Sequence, residues 1–193
     1  MSNMKELISY ITNYMRGMTC DKIILIISAM ALIWCGMLSS LKIQKAKMYR
    51  TRVIGTGLLS FILSNIIGVT LLGRTVMQNA VWQLQPFWSY LSVVHEGDRV
   101  LLAQIVWNII VFIPVGFLLP MCFPLFRMYH RALGVVIVMA CAVELTQGIT
   151  RIGWFEIDDI INNLLGTAIG VGVYVLCKKM LAERKKKKSE ELK

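Results

Sequence analysis

The stretch Val143 to Gly166, VELTQGITRIGWFEIDDIINNLLG, sets Glu144, Gln147, Arg151, Glu156, Asp158, Asp159, Asn162 and Asn163 between segments that are otherwise apolar. Carboxylates can act as general bases or hold a divalent cation. Guanidinium groups take phosphate or carboxylate through a two-pronged fork, and carboxamides orient either kind of ligand. Which of these chemistries is open depends on the medium, and the rest of the chain defines that medium.

Of the 193 residues, 56% are hydrophobic, and the mean hydropathy is +0.64. A soluble domain with a polar skin does not fit these values; a membrane protein does. About 20 apolar residues are needed to cross a bilayer as a helix. The runs Ile23 to Leu41, Val53 to Leu72, Val100 to Phe123, Ala132 to Ile149 and Ile157 to Cys177 meet that length. The expected fold is all-α: a polytopic membrane protein of five transmembrane helices preceded by an amphipathic N-terminal helix. That first helix is read from Met4, Leu7, Ile8, Ile11, Met15 and Met18, which recur at three- and four-residue steps. The chain divides into an amphipathic segment over 1–20, a membrane domain over 21–177 and a basic tail over 178–193. The N-terminus lacks the layout of a cleaved signal peptide, so the first crossing is expected to stay in the protein.

A formal charge of +10 would suggest nucleic acid for a soluble chain. Here its distribution over the loops matters more. With five crossings, the first loop, the third loop and the C-terminus share one side and hold fifteen Lys and Arg, against six on the other. Positive residues accumulate on the cytoplasmic side, so the N-terminus is expected outside and the C-terminus inside a multi-pass cell membrane protein. The tail lacks the aromatic residues that stack bases, and no nucleic-acid partner is expected. The five cysteines stand singly without metal-ligand spacing.

On these helices the polar residues fall at one end of the bundle. Arg74 follows the second crossing and Asn108 lies roughly 12 Å into the third. Glu144, Gln147 and Arg151 climb the last turns of the fourth. Asp158, Asp159, Asn162, Asn163, Gly166 and Gly170 share an arc of roughly 100° on the fifth. Connectivity alone brings these four helix ends together. An ionised carboxylate at mid-membrane costs about 2.5 to 3.5 kcal/mol, so each must face protein or water and find partners. One reading is a buried polar staple, with Glu144 paired to Arg151 or Arg74 and Asn108, Asn162 and Asn163 capping one another. The other is a water-accessible pocket, favoured because about nine polar residues exceed what helix register requires. Gly166 and Gly170 have small-xxx-small spacing, which suits close packing beside the pocket or a dimer seam.

With these residues placed, the sequence resembles the VanZ-like family of bacterial membrane proteins, over about Leu71 to Val175. The resemblance rests on LLGR with Arg74, on Pro86 and Phe87, on NIIVFIPVGFLLP with Asn108, Pro114 and Gly116, on Glu144 and Gln147 in ExxQ, and on Arg151, Asp158, Asp159, Asn163 and Gly166. Gln83 stands where the family often has Asn, and Glu156 where Asp is common, which puts only peripheral contacts in doubt. The resemblance implies a cell-envelope protein linked to reduced susceptibility to teicoplanin-like glycopeptides, without a settled molecular activity.

Two functions from different classes then stand. In the first, an outward pocket of Arg74, Asn108, Glu144, Gln147, Arg151, Asp158, Asp159 and Asn163 binds an anionic lipid headgroup or lipid-linked envelope precursor. In the second, an intramembrane hydrolase or transferase acts on a lipid-linked phosphate, with Glu144 as general base, or with Asp158 and Asp159 holding a divalent cation. Neighbouring helical residues diverge by about 100°, so that pair can share one ion only if the helix has not begun at Asp158. A transporter is disfavoured by the five helices and the absence of a visible repeat.

Overall fold

The computed structural model describes residues 20–43, 49–72 and 74–191. Apolar runs separated by short polar connections fold as α1 (Cys20–Ile43), α2 (Tyr49–Ile67, continued by a π turn over Gly68–Leu72), α3 (Trp88–Glu96), α4 (Arg99–Cys122), α5 (Tyr129–Thr150) and α6 (Ile157–Glu190). A 3-10 turn, Pro124–Arg127, leads into α5. Four helices, Arg50–Leu72, Arg99–Cys122, Tyr129–Thr150 and Ile157–Glu190, are long and apolar enough to cross a membrane, and Ile26–Ser39 within α1 forms a shorter apolar stretch. The protein is thus a multi-pass, all-α membrane protein. The expected N-terminal amphipathic helix lies outside the described residues.

The burial pattern is that of a bundle dissolved in lipid. Leu59, Leu63, Phe112, Val115, Leu118, Leu119 and Val136 form the inner core, while Leu58, Phe61, Trp107, Ile110, Val138 and Ile149 face outward. Apolar residues all round a helix are what hydrocarbon solvent requires. The buried hydroxyls of α2 return to their own backbone, as in Ser60 Oγ to the Thr56 carbonyl at 2.7 Å, which satisfies them within the apolar interior.

Two features were absent from the sequence reading. The long connection after α2 contains a strand, β1 (Val81–Gln83), which pairs in parallel with β2 (Trp154–Glu156) between α5 and α6, Trp82 opposite Phe155. The same connection contains α3, which turns into α4 through Gly97 in the left-handed region (φ 68°). Asp98 then caps α4, its Oδ1 accepting from the Val100 and Leu101 N–H groups at 2.8 and 3.0 Å. The last helix also runs through the basic tail to Glu190, so it is roughly 50 Å long at 1.5 Å per residue.

Candidate functional site

The site is built on the parallel helices α4 and α6. A Cβ on Gly166 would lie 2.2 Å from the Ile109 carbonyl oxygen, one on Gly170 2.0 Å from that of Ile113, and one on Gly116 2.2 Å from that of Thr167. These glycines let the two backbones touch, which assigns Gly166 and Gly170 to packing within the chain. The contact brings Gln104 and Asn108 of α4 opposite Asp159 of α6. Asn108 Nδ2 donates to Asp159 Oδ1 at 2.7 Å. Gln104 Nε2 lies 3.3 and 3.5 Å from the two Asp159 oxygens and 3.4 Å from Glu156 Oε2, bridging both carboxyl groups.

Glu144 joins from α5. It is 3% exposed, and its Oε2 accepts the Glu156 N–H, the last of β2, at 2.8 Å. Glu144, Glu156 and Asp159 therefore meet where the strand ends and α6 begins. Glu156 lies outside the spanning helices, and its carboxyl is pushed up to about 7, by burial above all and then by the Asp159 charge, with Gln104 and Arg74 opposing.

Asp158 has a different task. Fully buried, it accepts the Phe87 N–H at 2.5 Å on Oδ1, and on Oδ2 the Ser89 N–H at 2.9 Å and the Ser89 hydroxyl at 2.5 Å. Phe87 begins α3 with φ 63° and no side-chain cap of its own, so a carboxylate from another helix satisfies the orphan donors. One turn along, Asn162 Oδ1 accepts from the Tyr90 hydroxyl. Burial, followed by the Asp158 charge, holds that phenol above its ordinary range.

The cationic rim comes from the loops. Arg74 is exposed, and its Nη1 lies over Gly153, where a Cβ would be 2.7 Å from it and 3.2 Å from Gln147 Cδ. Gln147 is buried and donates from Nε2 to the Thr70 carbonyl at 3.0 Å. Arg151 closes α5 in the left-handed region (φ 59°). Its carbonyl accepts the Met77 N–H at 2.7 Å, and its Nη1 donates to the Gln78 carbonyl at 3.2 Å. Trp82 packs on Phe155 at 5.2 Å between ring centroids and over Gly148. Residues 74–83 thus run along the end of α5 and β2.

The structure brings together Arg74, Asn108, Glu144, Gln147 and Asp159 as read from sequence, and redistributes the rest. Among the described residues neither Arg74 nor Arg151 forms an ion pair with Glu144, whose oxygen is engaged by backbone instead. The asparagines do not cap one another: Asn108 serves Asp159 and Asn162 serves Tyr90. The Asn163 Oδ1, one turn beyond Asp159, is buried without a hydrogen-bond partner. Because α6 has already begun at Ile157, the two Asp carboxylates diverge, and Asp158 is committed to α3. Among the described residues no three His, Cys, Asp or Glu side chains are grouped to hold a metal ion. Sequence reasoning missed Gln104 and placed Glu156 at the periphery. Four residues before Asn108 on the same face, Gln104 carried a readable signal; Glu156 could be recognised only once β2 was known. An apolar cleft lined by Leu58, Ile62, Ile113, Pro114, Phe117, Leu118 and Val173 lies away from the cluster.

No curated protein and no solved structure matches the chain. The sequence model of the VanZ/LLP1 family matches residues 22–178, from the start of α1 into α6. The chain belongs to the VanZ/LLP1 family.

Proposed function

We propose that this VanZ-like membrane protein binds an anionic lipid headgroup or lipid-linked envelope precursor at the Arg74 rim, facing outward, and through it contributes to glycopeptide resistance of the teicoplanin type. One observation carries the reading: the exposed Arg74 guanidinium, seated over Gly153 beside the buried Gln147. Arg151, two residues before Gly153, keeps guanidinium donors beyond the one it gives to Gln78. A guanidinium fork at an interface is suited to phosphate. The charge asymmetry of the loops supports five crossings with the N-terminus outside and the basic end of α6 in the cytoplasm.

Purified protein should retain an anionic or polyprenyl-phosphate-like lipid in native mass spectrometry. Arg74→Ala and Arg151→Ala should release it, Arg151→Lys should recover part, and Gly153→Ala should weaken retention by displacing the Arg74 guanidinium. A lipid-free wild type, or equal retention by both Arg→Ala variants, refutes the reading.

A second reading, catalysis on a lipid-linked phosphate, is favoured by Glu156, whose carboxyl at about 7 could exchange a proton at neutral pH. Glu144 and Asp159 are its partners in that role. Turnover of bound lipid that Glu144→Gln or Asp159→Asn abolishes without loss of protein from the membrane would replace binding by catalysis.

A further inference from the structure

Three carboxyl groups, Glu144, Glu156 and Asp159, converge at the site, yet among the described residues no Lys or Arg nitrogen pairs with any of them. Arg74 is the cation whose charge bears on Glu156, and it stands at the rim rather than among the carboxyl oxygens. The donors present inside are neutral carboxamides and one backbone N–H. One turn beyond Asp159 on α6, the Asn163 Oδ1, buried and unpartnered, adds an acceptor. Asp159, Gln104 and Asn108 are only half-buried, so this part of the acceptor set is not sealed off, whereas Glu144 and Glu156 are buried. The site thus has a cationic lip and an acceptor-rich, acidic floor. A ligand bearing only negative charge would satisfy the lip and leave the acceptors of the floor without a donor.

We propose that the ligand bears a primary ammonium as well as a phosphate, the phosphate held by Arg74 and the ammonium among Asp159, Glu156 and Asn163. This rests on the anion-binding reading above and narrows it to phosphoethanolamine-type headgroups and amine-bearing lipid-linked precursors. An ammonium offers three donors and no acceptor, which matches a floor rich in oxygen acceptors. Methylating or removing the amine takes those donors away.

The test uses full-length protein in mild detergent with equimolar phosphatidylethanolamine, phosphatidylglycerol and phosphatidylcholine, read by native mass spectrometry. Phosphatidylethanolamine should be retained over the other two by about tenfold, within what one charge-assisted hydrogen bond supplies. Asp159→Asn should bring it down to the phosphatidylglycerol level while phosphatidylglycerol binding persists; Arg74→Ala should lower all three. Free phosphoethanolamine should compete if headgroup chemistry suffices, and failure to compete would assign the ligand to an intact lipid. Equal retention of the three lipids by wild type, or an unchanged preference in Asp159→Asn, overturns the proposal. The wild-type comparison stands by itself should the variant fold poorly. Arg74-dependent phosphatidylglycerol binding without amine preference would overturn this inference and leave anion binding intact, whereas no lipid bound at all would overturn both.

Discussion

Raising the pH should weaken this fold, and Glu156 should account for a measurable part of the loss. Its carboxyl is pushed up to about 7 from 4.5 because burial and the Asp159 charge disfavour ionisation. In the unfolded chain it returns to its ordinary value. Between those values the unfolded state gives up a proton that the folded state keeps, so each rise in pH favours unfolding. The stabilisation is complete below about 4.5, declines through the interval and is gone above about 7. A gap of about 2.5 pH units at roughly 1.36 kcal/mol each gives about 3 kcal/mol as an upper figure. For a chain of this size that corresponds to roughly 6 to 12 °C in unfolding midpoint. Thermal unfolding of the full-length protein in detergent, followed by tryptophan fluorescence from about pH 4.5 to 8, reads the effect. The midpoint should fall with pH in wild type and fall less in Glu156→Gln. Asp159→Asn should move the inflection to lower pH, since it removes one cause of the raised value. A Glu156→Gln profile running parallel to wild type throughout would refute the reasoning.

Asp158→Ala should lose protein from the membrane fraction, because it strands the Phe87 and Ser89 N–H groups and the Ser89 hydroxyl at about 1–3 kcal/mol each; Asp159→Asn should leave abundance near wild type, and immunoblots of membranes compare them. Gly166→Ala and Gly170→Ala should each lower the unfolding midpoint, the added Cβ meeting rigid helix backbone at 2.2 and 2.0 Å, whereas Gly172→Ala, with nothing within 4 Å, should be neutral or mildly stabilising. In a cysteine-free background, an impermeant maleimide applied to intact cells should label a cysteine replacing Val94 and not one replacing Lys45; the reverse pattern would invert the topology inferred from charge.

Much of the architecture was legible because a bilayer makes a simple demand. Helices must present long apolar runs, and four of those read from sequence coincide with helices of spanning length while the first contains a shorter apolar stretch. The meeting of Arg74, Asn108, Glu144 and Asp159 at one end followed from connectivity, since successive helices alternate in direction. The spacing of Gly166 and Gly170 announced close packing, but the choice between a dimer and the Ile109 and Ile113 carbonyls of α4 required the helix pair itself. Periodicity states which face of a helix a residue occupies and is silent about what lies across from it. Asp158 and Asp159, adjacent and chemically alike, therefore look interchangeable in the chain; a turn of about 100° sends one to cap α3 and the other to Asn108 and Gln104. Glu144 seemed to need an arginine and instead received the Glu156 N–H. That contact exists because a three-residue strand after the left-handed Arg151 pairs with Val81–Gln83, some 70 residues earlier in the chain. So short a strand has no periodic signature, and its register depends on a partner that only the folded chain supplies.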